Sequence, residues 1–150
     1  GTPPQTLLAG LAAAFDLIAL EGIAEVHARH RRLSAAVQAA VSGWAEGGAL
    51  GFFAHDAATR SVSVTTITVP EGTDVDGLRE VARNRFGVSL AGGLGPLQGK
   101  AFRIGHLGDS NAATILGCLG GVEAALRVQG IPIGPDGLRR AIDSLVANVD

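Results

Sequence analysis

The feature that most narrows the fold of this chain is a change of period at Gly47, Gly48 and Gly51. Before those glycines apolar residues recur at helical spacing; after them, short runs alternate with a period of two and then return to helical spacing. Leu7, Leu8, Leu11, Phe15 and Ile18 mark a first helix that follows Pro3 and Pro4 and runs to Gly22. Ala9, Ala12, Ala13, Ala14 and Ala19 leave it almost no polar side, so another domain or subunit is expected to cover it. A second helix runs from about Ile23 to Trp44, with Val26, Leu33, Val37 and Val41 inward and His27, Arg29, His30, Arg31 and Arg32 outward.

Past the glycines, "GFFAHD" and "RSVSVTTITVP" read as two strands joined by a turn, hence an antiparallel pair. In the second, Val62, Val64, Thr66 and Thr68 alternate against Ser61, Ser63, Thr65, Ile67 and Val69. Thr73 or Asp74 is expected to cap a helix bearing Val75, Leu78, Val81, Ala82 and Phe86, which Gly87 stops. "VSLAGG" predicts a third strand, "GLGPLQGK" a tight connection and "AFRIGH" a fourth strand. Asp109 or Ser110 is the expected cap of the next helix, whose stripe is Ile115, Leu119, Val122 and Leu126. Gly117, Gly120 and Gly121 lie off that stripe. Each weakens the helix by roughly 1 kcal/mol, so close approach of another backbone is the expected compensation. "DGLRRAIDSLVANV" predicts a final amphipathic helix. This order gives an α+β fold, an α/β sandwich with helices on one face of a small, largely antiparallel sheet, preceded by two long helices.

Composition agrees with one packed domain. Apolar residues make up 47% and charged residues 17%, which disfavours disorder. A net charge of -2 gives no long-range attraction to nucleic acid or anionic membrane, and no apolar run has the length of a bilayer span, so neither partner is expected. The single cysteine, Cys118, has no partner for an internal disulfide, which fits a cytoplasmic location. The chain has no methionine and enters a helix directly from "GTPPQTLL"; it is expected to be a piece of a longer protein.

Arg103 is the strongest functional candidate. With Phe102 and Ile104 on one face of a strand, Ala101, Arg103 and Gly105 share the other, so the guanidinium sits among small neighbours. That leaves room for an anionic ligand, or for a carboxylate side chain from elsewhere in the fold. The glycine-rich "GGLGPLQGKA" fails both phosphate-binding patterns: Leu94 and Ala101 stand where a P-loop needs glycine and a hydroxyl, and Gln98 stands where a dinucleotide fingerprint needs its third glycine. Lys100 is the only lysine, and its place at a strand end predicts a solvated amine rather than an imine former. His27 and His30 lie one helical turn apart without the further ligands that zinc requires, so no metal is expected. Cys118 reads as a small buried filler. His106 either reaches the Arg103 pocket or bonds backbone at the turn.

"RFGVSLAGGLGPLQGKAFRIGHLGD", followed by "GCLGGVEAALRVQGIPI", resembles the C-terminal portion of class V aminotransferases, pyridoxal-phosphate enzymes of fold type I, and most resembles the serine-glyoxylate and alanine-glyoxylate enzymes. "TPPQTLLAGLAAAFDLIALEGIAEVHARHRRL" is similar to their passage from the large cofactor domain into the small one, and the likeness runs from Thr2 to about Val149. It implies residues 1–45 as a segment leading from an upstream cofactor domain and 46–150 as the C-terminal small domain. It further implies transfer of an amino group between serine or alanine and an oxo acid such as glyoxylate, in a homodimer. The resemblance gives Arg103 the substrate carboxylate, and gives Thr2 the phosphate of the cofactor in the neighbouring subunit. The family's Schiff-base lysine, the acid at the pyridine nitrogen and the stacking aromatic have no match here, so no catalytic residue is expected in this segment. A metabolite-binding regulatory module without catalysis, and a lyase or desulfurase of the same fold, are the alternatives.

Overall fold

The structure is a computed structural model and describes residues 1–147; Asn148 and Val149, which the sequence reading places in the last helix, lie outside the described residues. Helices α1 (Gln5–Glu21) and α2 (Ile23–Ala45) meet at an angle of 88°. The bend is made at Gly22, whose φ of 90° is a conformation that residues with a side chain rarely adopt. Among the described residues, no single helix is long and apolar enough to cross a membrane.

The two helices differ in what covers them. No residue of α1 is buried, and Leu7, Leu8, Leu11, Phe15, Leu17 and Leu20 are exposed, so the cover expected for this helix is not supplied by the other described residues. The second half of α2 is the opposite case: Leu33, Val37, Val41 and Trp44 are fully buried in the core. The change from uncovered to covered helix therefore falls within α2, ahead of residue 45.

The sheet contains β1 (Gly51–Phe52), β2 (Val64–Thr68), β3 (Ala91–Gly92) and β4 (Ala101–Gly105), in the order β1-β2-β4-β3 with every neighbour antiparallel. Thr65 opposes Ile104 and Ile67 opposes Phe102, which puts these four buried side chains on one face. That face packs on α2 and on α3 (Val75–Phe86), α4 (Ala112–Val128) and α5 (Gly137–Ala147) through one continuous apolar core. The fold is thus the α+β arrangement expected. The two edge strands are shorter than the sequence predicts. After β1 the chain leaves the sheet for a 3-10 turn at Ala57–Thr59, capped by Asp56 accepting from the Ala58 N–H. Short edges limit the unpaired backbone that a sheet presents.

Asp74 caps α3 by accepting from the Gly77 N–H, and Gly87 ends that helix in the left-handed conformation. The cap of α4 is Asn111, not Asp109 or Ser110. Its side chain accepts from the Thr114 N–H at 3.0 Å while the Thr114 hydroxyl oxygen accepts from the Asn111 N–H, also at 3.0 Å, a reciprocal box that satisfies two donors at once. The α4 glycines also depart from expectation. Gly117 and Gly120 face open space, and Gly121 is approached by the side chains of Val88 and Phe86 rather than by backbone. Close backbone approach occurs instead between α2 and α5, where a Cβ on Gly43 would lie 2.8 Å from the Gly137 Cα. Beside this crossing the Trp44 indole donates to Glu123 Oε2 at 2.9 Å, and the Leu138 N–H donates to the same oxygen at 3.2 Å. Burial pushes the Glu123 carboxyl up, but hydrogen bonds from Trp44, Arg127 and Leu138 outweigh it and hold the group below the usual carboxylate range.

Candidate functional site

Arg103 occupies the middle of β4, and its strand is pinned by the buried Phe102 and Ile104 on either side. Its own side chain lies on the opposite sheet face. Across the strands it faces Thr66 of β2 and Ala91 of β3, and along its own strand the same-face neighbours are Ala101 and Gly105. All four are small; the alternation predicted Ala101 and Gly105, and the strand register adds Thr66 and Ala91. The guanidinium is half-buried, and its Nε donates to the Gly92 carbonyl at 2.8 Å. That bond fixes the plane of the group from one side. Among the described residues no carboxylate pairs with it, and both terminal nitrogens are without an acceptor. An arginine tethered through Nε presents two parallel N–H donors in the geometry of a carboxylate, so this arrangement suits bidentate recognition of an organic acid.

The remaining sequence candidates are not gathered around it. The alternation that sends Arg103 to the open face sends His106 to the core face, with Phe102 and Ile104. His106 is fully buried; Nδ1–H donates to the Val62 carbonyl at 3.0 Å and Nε2 accepts from the Thr65 hydroxyl at 2.9 Å. Burial is the main cause that lowers its pKa, with the nearby His30 adding to it against the opposing Val62 carbonyl bond. It is a structural histidine. Lys100 stands exposed at the start of β4, and Thr2 lies exposed ahead of α1 with no hydrogen bond to the sheet among the described residues. His30 is committed to backbone: Nδ1–H donates to the Val26 carbonyl at 2.6 Å and Nε2 accepts from the Gly108 N–H at 3.1 Å. Cys118 is half-buried, and burial pushes its thiol up, away from reactivity. No group of three His, Cys, Asp or Glu suited to a metal occurs among the described residues.

Sequence reasoning missed Arg29. It reads as one basic residue on a solvated face, yet it joins the helical elbow to the loop after β4. Nε and Nη2 donate to the two Glu21 oxygens at 2.6 and 2.7 Å, while Nη1 donates to the carbonyls of Gly108 and Ser110 at 2.7 and 2.9 Å. The Glu21 carboxyl is held below its ordinary range by the Arg29 hydrogen bond. Two of these partners are backbone carbonyls about eighty residues away, which no sequence pattern marks. Around this junction lies a mostly apolar groove of about 970 Å³ lined by Leu17, Leu20, Val26, His27 and Leu107.

No protein-family model matches the chain. It is 42% identical over 132 residues to the serine-glyoxylate aminotransferase of Arabidopsis thaliana, covering 88% of this chain and 32% of that protein. The solved pyridoxamine-pyruvate aminotransferase of Mesorhizobium loti superposes on 99% of this chain with a TM-score of 0.91 and 30% identity. The chain is similar to the C-terminal portion of class V aminotransferases. A third relative, the ureidoglycine-glyoxylate aminotransferase of Bacillus subtilis, matches 86% of it at 31% identity with a TM-score of 0.77. The chain spans about a third of the length of these aminotransferases, and its fold is that of the C-terminal domain of fold type I enzymes.

Proposed function

We propose that this chain supplies the substrate-carboxylate grip of a transaminase that moves an amino group between a small amino acid, serine or alanine, and an oxo acid such as glyoxylate. One observation carries this reading: the Arg103 guanidinium is tethered by Nε, half-buried among small residues and, among the described residues, unpaired at both terminal nitrogens. The relatives add support, since glyoxylate or pyruvate appears in the name of each of the three, and both oxo acids carry a carboxylate. Their amino donors differ, so serine or alanine is the finer part of the proposal.

Pyridoxal phosphate is the cofactor proposed for the complete enzyme, where it would supply the electron sink for transamination. The residues of this chain do not by themselves fit a site for it. Imine chemistry needs an amine desolvated by its surroundings, and Lys100 stands exposed at a strand end. The share of the reaction carried here is binding and orienting the substrate. Thr2 is proposed to offer its exposed hydroxyl to the cofactor phosphate of a neighbouring subunit in a homodimer, with residues 1–45 leading from an upstream cofactor domain. A cytoplasmic location completes the proposal; the single cysteine of this chain, with no partner for an internal disulfide, fits it.

The test is steady-state kinetics of the complete enzyme carrying Arg103→Gln or Arg103→Lys. Removing one partner of a desolvated charge pair typically costs about 2–5 kcal/mol, which corresponds to a rise in KM of about 30-fold or more for both substrates. Arg103→Lys keeps the charge and loses the fork, so it is expected to recover only part of the loss. Unchanged KM in both variants refutes the assignment.

A further inference from the structure

We infer that Arg29 and Glu21 form a strut that sets the position of α1 relative to the Arg103 strand, making Arg29 a positioning residue for the transfer reaction. The inference rests on the carboxylate-grip reading of Arg103 and goes beyond it, because Arg29 touches neither substrate nor cofactor.

The geometry is that of a joint with one brace. Helix α1 buries no residue against the other described residues, and it departs from α2 at 88° through Gly22, a residue with wide backbone freedom. Among the described residues apolar packing therefore does little to define the angle, and any cover from another domain or subunit acts on α1 beside this brace. Among the described residues, Glu21 is the only α1 side chain that hydrogen-bonds outside its helix, and it does so through both oxygens to Arg29. The same guanidinium then donates to Gly108 and Ser110, in the loop that leads from β4 into α4. His30 receives the Gly108 N–H, so the loop is held at both its donor and its acceptor side from one turn of α2. On the far side of that loop, His106 is locked to Thr65 and Val62. A rigid path thus runs from the last residue of α1, through Arg29, to the end of the strand that carries Arg103.

The brace is well made in physical terms. Arg29 places Nε, Nη1 and Nη2 on four acceptors, is only 17% exposed in its side chain, and meets Glu21 side-on with two parallel bonds. Bidentate geometry of this kind restricts direction as well as distance. Lysine, a point charge, cannot reproduce it. The function follows from what lies at each end. The grip on the substrate carboxylate sits on β4, and the segment proposed to meet the cofactor phosphate precedes α1. Displacing one from the other by about 1 Å can cost on the order of a hundredfold in rate while the carboxylate still binds.

The experiment uses the complete enzyme with Arg29→Gln, Arg29→Lys and the milder Glu21→Gln, which keeps the carbonyl bonds of Arg29 and so preserves the loop. Two readouts are taken. The first is the distance distribution between spin labels at Ala12 on α1 and Gln129 after α4, with Cys118 and every native cysteine outside these 150 residues replaced by serine. The second is kcat and KM for the amino donor. The strut predicts a broadened distance distribution in Arg29→Gln and Glu21→Gln, with kcat falling about tenfold or more and KM changing by less than about threefold. Arg29→Lys should recover part of both. A narrow wild-type distribution in Glu21→Gln, or a variant that loses thermal stability with kcat intact, overturns the strut. Should Arg103→Gln leave KM unchanged, the grip reading fails, while the distance measurement still judges the brace.

Discussion

Replacing His106 by leucine tests how the end of the β2–β4 pair is held. The ring is fully buried and makes two hydrogen bonds, one to the Thr65 hydroxyl, itself almost fully buried, and one to the carbonyl of the exposed Val62. Water can replace the ring at Val62, but not at Thr65. Leucine fills similar volume, so the cost comes chiefly from the stranded Thr65 hydroxyl, about 1–3 kcal/mol. Adding Thr65→Val removes the stranded group and should restore about 1–2 kcal/mol, because two apolar partners of matching shape are close to neutral. Urea unfolding followed by fluorescence measures both, since Trp44 is the only tryptophan and is fully buried. The wild type should also lose stability as pH falls below the ordinary histidine value of about 6.5. The reason is linkage: the folded state, with its lowered His106 pKa, refuses a proton that the unfolded chain accepts, so the unfolded state gains the advantage in acid. The slope from one such group reaches at most about 1.4 kcal/mol per pH unit, and it should vanish in His106→Leu. Additive single-variant costs, or the same acid slope in the leucine variant, would refute the reasoning.

Other consequences follow from the helix layer. Glu123→Ala leaves the Trp44 indole N–H without its acceptor and removes the partner of Leu138 and Arg127; a loss of about 2–4 kcal/mol in urea unfolding is expected, and a loss under 1 kcal/mol would mean that water fills the site. Gly137→Ala drives a methyl group into the Trp44 ring at the α2–α5 crossing, so about 1–3 kcal/mol of overpacking and a shifted Trp44 emission maximum are expected. An unshifted emission with full stability would show that the two helices separate freely.

Much of the fold was legible because two periods do not mimic each other. Leu33, Val37 and Val41 at helical spacing, and Phe102 and Ile104 at strand spacing, are buried as their patterns require. The same alternation placed Arg103 on the face away from the core. It also carried the answer for His106, which is two residues beyond Ile104 and continues the buried face. The cap of α4 was harder to read. Asp109, Ser110 and Asn111 are all competent caps, and the choice is made by tertiary contacts: Arg29 takes the Ser110 carbonyl, and Thr114 completes the box with Asn111. The tether of Arg103 is likewise invisible in sequence, because its partner is the Gly92 backbone, and carbonyls carry no sequence signature. Arg29 was passed over for the same reason.

The most direct measurement compares a substrate with its carboxamide. In the complete enzyme, kcat/KM for serine over serinamide should favour the acid by about 30-fold or more, and in Arg103→Gln the ratio should fall close to one, since glutamine bonds acid and amide alike. A wild-type ratio near one, or a large ratio that survives the substitution, would mean that the carboxylate is held elsewhere.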